Sequence, residues 1–573
     1  KNSSVGSASS STVGADTSGN NHHFDSSNGF ATTDNMIDSP TDNFCTLNPL
    51  NKNNVVTLSN GNLSFTASNN RFLTSTFAVN SGKWYLEFSP TAGGGSGVGV
   101  GIILATTDVH GAGTGAYSTA GFANSGTYTG VGYVTNGNKY VDSVAASYGA
   151  SYGSGNVIAI VLDLDSSPQT IAFYKDNSSQ GSINISPSNG TWTIATDFSH
   201  AGTHSINFGQ LAFTHTPPTG FVALSTANLP DPAIDPAKGE NPTDYFNTVT
   251  YSGTSGDKAV TGVGFQPDWV WIKQRNSAAD NQLYDSVRGV TKLLESNQTL
   301  AEQTKSEGVK SFDSDGFTHG VESAGNDNSG THVAWNWKAG GSGVSNTDGS
   351  ITSTVSASTK AGFSIVSWTG NGTAGATIGH GLGAVPSFII VKNRGTSGTE
   401  NRAWTIYHSA LGATKYIEFS NSAEDTGTNR WNDTAPTSSV FTVGDGSNGN
   451  ENGDSHIAYC FADVEGFSKF GSYQGGSDPF VYLGFEPAMI MFKRTTGTAT
   501  HWAIRDNARK TDNPNRNTLY PSKTDTEYTG TAHDIDFLSN GFKIRNDDGL
   551  FDASATYIYA AWAKTPFKYG TGV

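Results

Sequence analysis

Charge is scarce in this chain. Lys, Arg, Asp and Glu together make up 14% of its 573 residues, against roughly 25% in an ordinary soluble protein. Aromatics hold at 11%, which excludes the composition of a disordered chain, poor in aromatics and rich in charge. Cations are scarcer than anions, for a formal charge of −16, and no run of Lys or Arg occurs. Nucleic acid and anionic membrane surfaces are therefore not expected as partners. No apolar run approaches the roughly 20 residues that cross a bilayer, so membrane insertion is not expected either. Cysteine is limited to Cys45 and Cys460, far apart and read as two unpaired, buried thiols, so packing must hold the fold. There is no initiator Met or signal peptide, and Lys1 reads as the start of a fragment or a processed chain.

Gly, Ser, Thr and Asn fill the space that charge leaves. Short strands joined by turns of these residues predict an all-β chain, and its length predicts several domains. Residues 1–43 are polar and read as the end of an upstream module or a tether; the adjacent His22 and His23 lack further metal-ligand spacing. From 44 to 229 strand patterns recur. GKWYLEF (82–88) places Trp84, Leu86 and Phe88 on one face and Tyr85 and Glu87 on the other, and GNVIAIVLDLD, TIAFYKDN and SINFGQLAF follow. This order resembles the SPRY domain, a concanavalin-like β-sandwich, and implies that fold for 44–229. Ser166-Ser167-Pro168-Gln169 replaces the family's usual glycine turn before the FYK strand, and 111–155 is long and Gly-rich, so no partner loops carry over. The prolines of 230–244 predict an extended linker.

Beyond it one motif occurs three times: GFQPDWVWIKQR (264–275), GLGAVPSFIIVKNR (381–394) and GFEPAMIMFKRT (484–495). Each reads Gly, two residues, Pro, one residue, four apolar residues, Lys. Closing strands THVAWNWK, SHIAYCFA and TYIYAAWA repeat in step. The spacing predicts three β-sandwich-like modules at 245–340, 361–464 and 465–573, with a Gly/Ser/Thr-rich linker at 341–360. A one-sided strand alternates apolar and polar residues. These strands do not, so both faces must be covered. One face belongs to the module's own core; the other needs a neighbouring module, the module's own loops, or a second copy of the chain. Trp269, Trp271, Phe388, Ile390, Met489 and Met491 are the residues of that second contact. Pro before the strand and Lys after it read as edge-guarding signals. A rod of parallel chains, with a trimer as the preferred homo-oligomer, follows from the third option.

The tandem motif, with YDSVRGVTK, WNDTAPTSSVFTVG and IAYCFADVEGFSKFGSY, resembles a repeat of marine tailed-bacteriophage virion proteins, where it accompanies SPRY and concanavalin-like modules in tail-fibre or adhesin chains. The resemblance implies an extracellular virion component that binds other virion proteins and a host surface glycan or protein. It implies no catalytic residues.

Nothing in the sequence supplies an enzyme's constellation. Acidic pairs such as Asp163/Asp165, Asp313/Asp315 and Asp547/Asp548 fit turn chemistry, and no nucleophile elbow, zinc-binding helix motif or phosphate loop occurs. DGSNGNENGD (445–454), AGNDNSG (324–330) and NDDG (546–549) are polar hairpin tips or, less simply, calcium loops; the EF-hand's closing acid is missing, since His456 stands there. Equivalent His332 and His456 give way to Tyr557, which argues against a shared metal. Sugar binding draws on an aromatic face beside Asn and Asp, and Trp431-Asn432-Asp433 supplies both. The third module's longer loop adds Trp502, Arg505, Arg509, Lys510, Arg516 and Tyr520, a contact surface for an anionic glycan. The expected function is non-covalent host attachment. The alternatives are a head fibre, decoration or linker protein, a polysaccharide depolymerase, or a bacterial surface adhesin.

Overall fold

The structure, a computed structural model, describes residue 39 and residues 42–570, apart from 53–55, 67–70, 91–96, 108, 110–121, 123–127, 199–201, 397–401, 421, 477, 499 and 546–548. His22, His23 and the Asp547/Asp548 pair lie outside the described residues. Strands dominate throughout, and the chain forms two compact units, Lys1–Pro230 and Asp231–Val573.

The first unit is built on a seven-stranded antiparallel sheet and an eight-stranded sheet that is antiparallel except for one short parallel strand. Strand Lys83–Pro90 pairs with Ile158–Asp163 so that Phe88, Leu86 and Trp84 oppose Ile158, Ile160 and Leu162. All six are buried. Tyr133 of the seven-stranded sheet meets Phe173 of the eight-stranded one at 5.4 Å between ring centroids, so the sheets face each other across a shared interior. The opposite face of Lys83–Pro90 is covered too. Tyr85 packs edge-on against Phe213 at 4.8 Å. Glu87 is 3% exposed and accepts hydrogen bonds from Tyr85 Oη (3.0 Å), Thr214 N (2.7 Å) and His215 N (2.8 Å). Its carboxylate pins segment 211–221 over the sheet, a role the alternation of GKWYLEF does not reveal.

In the second unit each repeat has a main sheet of the same order. In repeat 1, Phe246–Ser252, Thr331–Trp337, Trp269–Gln274 and Gln282–Asp285 lie side by side. In repeat 2 the equivalents are Phe363–Thr369, Ser455–Phe461, Phe388–Asn393 and Thr405–His408. In repeat 3 they are Ser468–Gln474, Thr556–Pro566, Phe485–Arg494 and Ala503–Asp506. Each repeat adds a small outer sheet.

The central strands explain the missing alternation. Val270 and Ile272 point into a core private to repeat 1, and Ile389 and Val391 into one private to repeat 2. Trp269, Trp271, Phe388, Ile390, Met489 and Met491 all enter one core shared by the three repeats. Trp269 stacks on Tyr459 of repeat 2 at 4.1 Å, Trp337 meets Trp562 of repeat 3 at 5.4 Å, and Phe461 meets Trp562 at 5.3 Å. At the two inward positions repeat 1 places two Trp and repeat 3 two Met. A shared interior constrains total volume more than the identity at each position.

Sibling repeats therefore cover the second faces, and a rod of parallel chains loses its physical basis, since no second copy is needed to bury them. The segments expected as linkers are also packed. Ile234 is fully buried in the shared core, and Asp235 accepts from Tyr569 Oη at 2.7 Å, so the proline segment docks on repeat 3. Within 341–360, Val344–Asn346 and Ser353–Ser358 extend the main sheet of repeat 2.

Candidate functional site

Where the repeats meet they are stitched by buried polar groups in a cycle. The Lys that ends each central strand does not guard an edge: Lys273 and Lys392 are fully buried and Lys493 is 1% exposed. Each Nζ donates to a carbonyl of its own hairpin loop and to one of the next repeat. Lys273 reaches Ala279 O (2.7 Å) and Thr524 O of repeat 3 (2.9 Å). Lys392 reaches Arg402 O and Gln298 O of repeat 1 (3.5 Å). Lys493 reaches Thr500 O and Ser420 O of repeat 2 (3.2 Å). Burial lowers their pKa values from the usual 10.5 to about 8, 7 and 7 respectively; Asp280 and Asp525 partly offset this for Lys273, and Arg402 adds to it for Lys392.

The same cycle appears in the backbone. Glu527 N donates to Arg275 O (2.8 Å), Glu302 N to Arg394 O (3.1 Å), and Glu424 N to Thr495 O (3.2 Å). One residue before the next strand, Trp404 Nε1 donates to Glu295 O and Trp502 Nε1 to Glu418 O, at 2.9 and 2.8 Å. Asn281 holds that place in repeat 1 and donates to Tyr520 O and Lys523 O of repeat 3 (3.2 and 3.0 Å). A different side chain makes the same connection.

Two of the three seams also carry a buried ionic chain. Between repeats 2 and 1, Tyr459 Oη donates to Asp285 (2.8 Å), Asp285 pairs with Arg288 (2.5 Å), Arg288 with Glu302 (3.2 Å), and Glu302 with Arg394 (2.8 Å). Between repeats 1 and 3, Trp335 Nε1 donates to Asp506 (3.0 Å), which pairs with Arg509 (2.6 Å); Glu527 then joins Arg509 (2.6 Å) to Arg275 (2.8 Å). Desolvation pulls the pKa values of Arg288 and Arg509 down, but the neighbouring carboxylates outweigh it and the net shift is upward. At the third seam Leu411 and Thr495 stand where the other two have arginines. Ala560 replaces the Trp335/Tyr459 donor, and His408 replaces the aspartate, its Nε2 meeting Tyr559 O at 3.1 Å. The seam loses its acid where it loses its donor.

This geometry corrects several expectations about contact residues. Trp431, Trp502, Arg505 and Arg509 are at most 8% exposed and cannot form an exposed binding surface. Trp431 packs edge-on against Tyr407 at 5.7 Å. Arg505 donates to Asn515 O (2.8 Å) and lies over the Phe551 ring (5.2 Å). The long loop of repeat 3 closes the ring onto repeat 1, where Ser296 Oγ donates to Pro521 O at 2.6 Å. Asp433 is exposed, and Asn432, Lys510, Arg516 and Tyr520 are partly so; Arg516 pairs with Asp534 at 3.1 Å and Lys510 with Asp512. Asn432 and Asp433 sit at φ of 49° and 48°, a tight turn for which Asn and Asp are suited.

Two of the three tips considered for calcium use their amides internally, and 546–548 of the third lie outside the described residues. Asn450 Nδ2 donates to Thr373 O and Gly444 O (2.9 and 3.0 Å), and equivalent Asn326 to Gly256 O and Gly320 O (both 2.8 Å). Among the described residues no group of three or more His, Cys, Asp or Glu is placed to hold a metal ion. His332 stacks on Tyr251, His456 on Trp368 and Tyr557 on Tyr473, within 5.3 Å and 15°. What the position requires is a flat ring, which explains the exchange of His for Tyr.

A family model described as "Domain of unknown function (DUF7483)" matches residues 241–566, the span of all three repeats. No curated protein matches. Solved structures similar to parts of the chain include "Stonustoxin structure", at 18% identity over 28% of this chain and 27% of that one, with a TM-score of 0.23. They also include "Crystal structure of the SPRY domain of human HERC1", at 18% identity over 29% and 99%, TM-score 0.22. "Crystal structure of TRIM65 PSpry domain" is 13% identical over 29% and 93%, TM-score 0.22. At TM-scores this low the likeness carries no argument.

Proposed function

Because the chain belongs to the family described as "Domain of unknown function (DUF7483)", we propose a function from its own motifs and geometry: a non-catalytic structural protein of a phage particle. In this reading it works outside the cell, attaching the particle to a host glycan or protein by non-covalent contact. The tandem motif's resemblance to tail-fibre and adhesin repeats supports the phage setting. The observation that carries the reading is the use made of the buried charged groups. Lys273, Lys392, Lys493 and the two Asp–Arg–Glu–Arg chains join one repeat to the next. Because these groups are taken up in joining the repeats, the reading favours a structural part over a catalytic one.

A second reading, a head fibre, decoration or linker protein with no receptor, draws on the burial of Trp431, Trp502 and Arg509. Binding of the labelled, purified chain to bacterial envelope fractions and a glycan array separates the two. Saturable binding that weakens in the Asp433→Ala/Arg516→Ala double variant supports attachment through these loops. Absence of binding, with the chain retained on particles, supports the structural role. Release of reducing sugar from capsule would overturn both in favour of a depolymerase.

A further inference from the structure

The three seams are equivalent in place and unequal in chemistry. His408 occupies the site of Asp285 and Asp506, at the seam whose neighbours Leu411 and Thr495 exclude the ionic chain. Its ring is fully buried, and both nitrogens are engaged. Ala410 N donates to Nδ1 at 3.1 Å, so Nδ1 carries the lone pair, and Nε2–H donates across the seam to Tyr559 O at 3.1 Å. Phe388 closes one side at 5.8 Å. The neutral ring fits. A second proton would have to sit on Nδ1 against the Ala410 N–H, donor facing donor, in a site that offers the cation no water.

Titratable groups stand on every element packed round it. Its own strand adds Tyr407, the sheet neighbours Lys392 on one side and Lys415, Tyr416 and Glu418 on the other. The strand across the seam carries Tyr557, Tyr559 and Lys564, and Asp463 accepts from Ser387 Oγ beside Phe388. Burial acts first on the imidazole, with the Tyr559 carbonyl opposing it, and the balance lowers its pKa to about 4.

We propose that the seam between repeats 2 and 3 is an acid-operated latch: protonation of His408 at Nδ1 breaks the bond from Ala410 N and expels the charged ring from its buried site, taking the contact with Tyr559 with it and opening this seam before the other two. The direction follows from linkage. The folded ring holds its proton less tightly than a solvated imidazole does, so the open form binds more protons as pH falls below 6.5. Between pH 7 and 4.5 the opening constant should rise on the order of 50-fold.

The three equivalent amides of Glu302, Glu424 and Glu527, each bonded across one seam, are the reporters. Hydrogen exchange of the full chain at pH 7 and pH 4.5, corrected for intrinsic exchange, should show the 50-fold rise in peptides containing Glu424. Peptides containing Glu302 and Glu527 should change several-fold less. His501, whose Nδ1 meets Ser522 Oγ at 2.9 Å, also has its pKa lowered to about 4 by burial, so His501→Gln is the control and should leave the rise at Glu424 in place. His408→Gln keeps an N–H donor and removes the titration, so its Glu424 peptide should lose the pH dependence. Equal rises at all three seams, opening at Glu527 at a higher pH than at Glu424, or an undiminished rise in His408→Gln would overturn the proposal. Should that variant fail to fold, the comparison of seams in the native chain decides alone.

Discussion

The two units meet one problem in two ways. In the first, strand Lys83–Pro90 has an inner face of Trp84, Leu86 and Phe88, and its outer face is capped from the same sandwich by segment 211–221, held by Glu87. In the second, the outer faces of three central strands are capped by one another. The first solution needs one buried carboxylate and leaves a polar alternation in the sequence. The second needs continuous apolar runs and a set of seams. Covering a face by a local segment makes a module independent; covering it by siblings makes three repeats a single folding unit.

Cutting into the shared core should have the largest effect. Trp269→Ala is expected to cost about 3–5 kcal/mol and to shift unfolding of all three repeats together, read by calorimetry alongside exchange in each repeat. Phe213→Ala, in the cap of the first unit, should leave the repeats unchanged. Arg509→Ala leaves Asp506 and Glu527 buried without their partner and is expected to cost about 3–5 kcal/mol, measured by urea unfolding; an equally large loss from Arg516→Ala would blur the distinction between seam and surface. Tyr459→Phe removes a donor to a charged acceptor across a seam and should cost about 1.5–3 kcal/mol. Glu87→Gln keeps the shape of the cap but exchanges a charged acceptor for a neutral one, a loss of about 1–3 kcal/mol confined to the first unit.

The dependence on pH sharpens the contrast further. Lys273, Lys392 and Lys493 have folded pKa values near 8, 7 and 7 and unfolded values near 10.5. Between these limits the unfolded chain binds more protons, so stability rises with pH. The urea midpoint of the repeat unit should increase from pH 7 to 8.5, and Lys392→Met should flatten the rise.

Much of this is readable from residues. Unbroken apolar runs such as Trp269-Val270-Trp271-Ile272 say that both faces are buried, because polar atoms would otherwise alternate with them. They do not say what does the burying, since the covering residue lies far away in sequence: Trp335 and Asp506 are 171 residues apart, and Arg275 and Glu527 are 252 apart. The same distance hides the fate of charge. Lys392 at a strand end reads as an edge guard and Arg509 in a basic loop as a receptor contact, because the carbonyls and carboxylates that bury them belong to other repeats or loops. Trp431 and Trp502 are ambiguous for a simpler reason: an indole suits a sugar face and a core equally well.

The most direct measurement is a double-mutant cycle on Arg275 and Glu527, which meet at 2.8 Å across the seam that no short connection bridges. It should be run by urea unfolding on fractions that light scattering shows to hold a single chain. Closure of the repeats on themselves predicts a coupling energy of about 1 kcal/mol or more between the two sites. Additive losses, within about 0.5 kcal/mol, would contradict a ring closed within one chain.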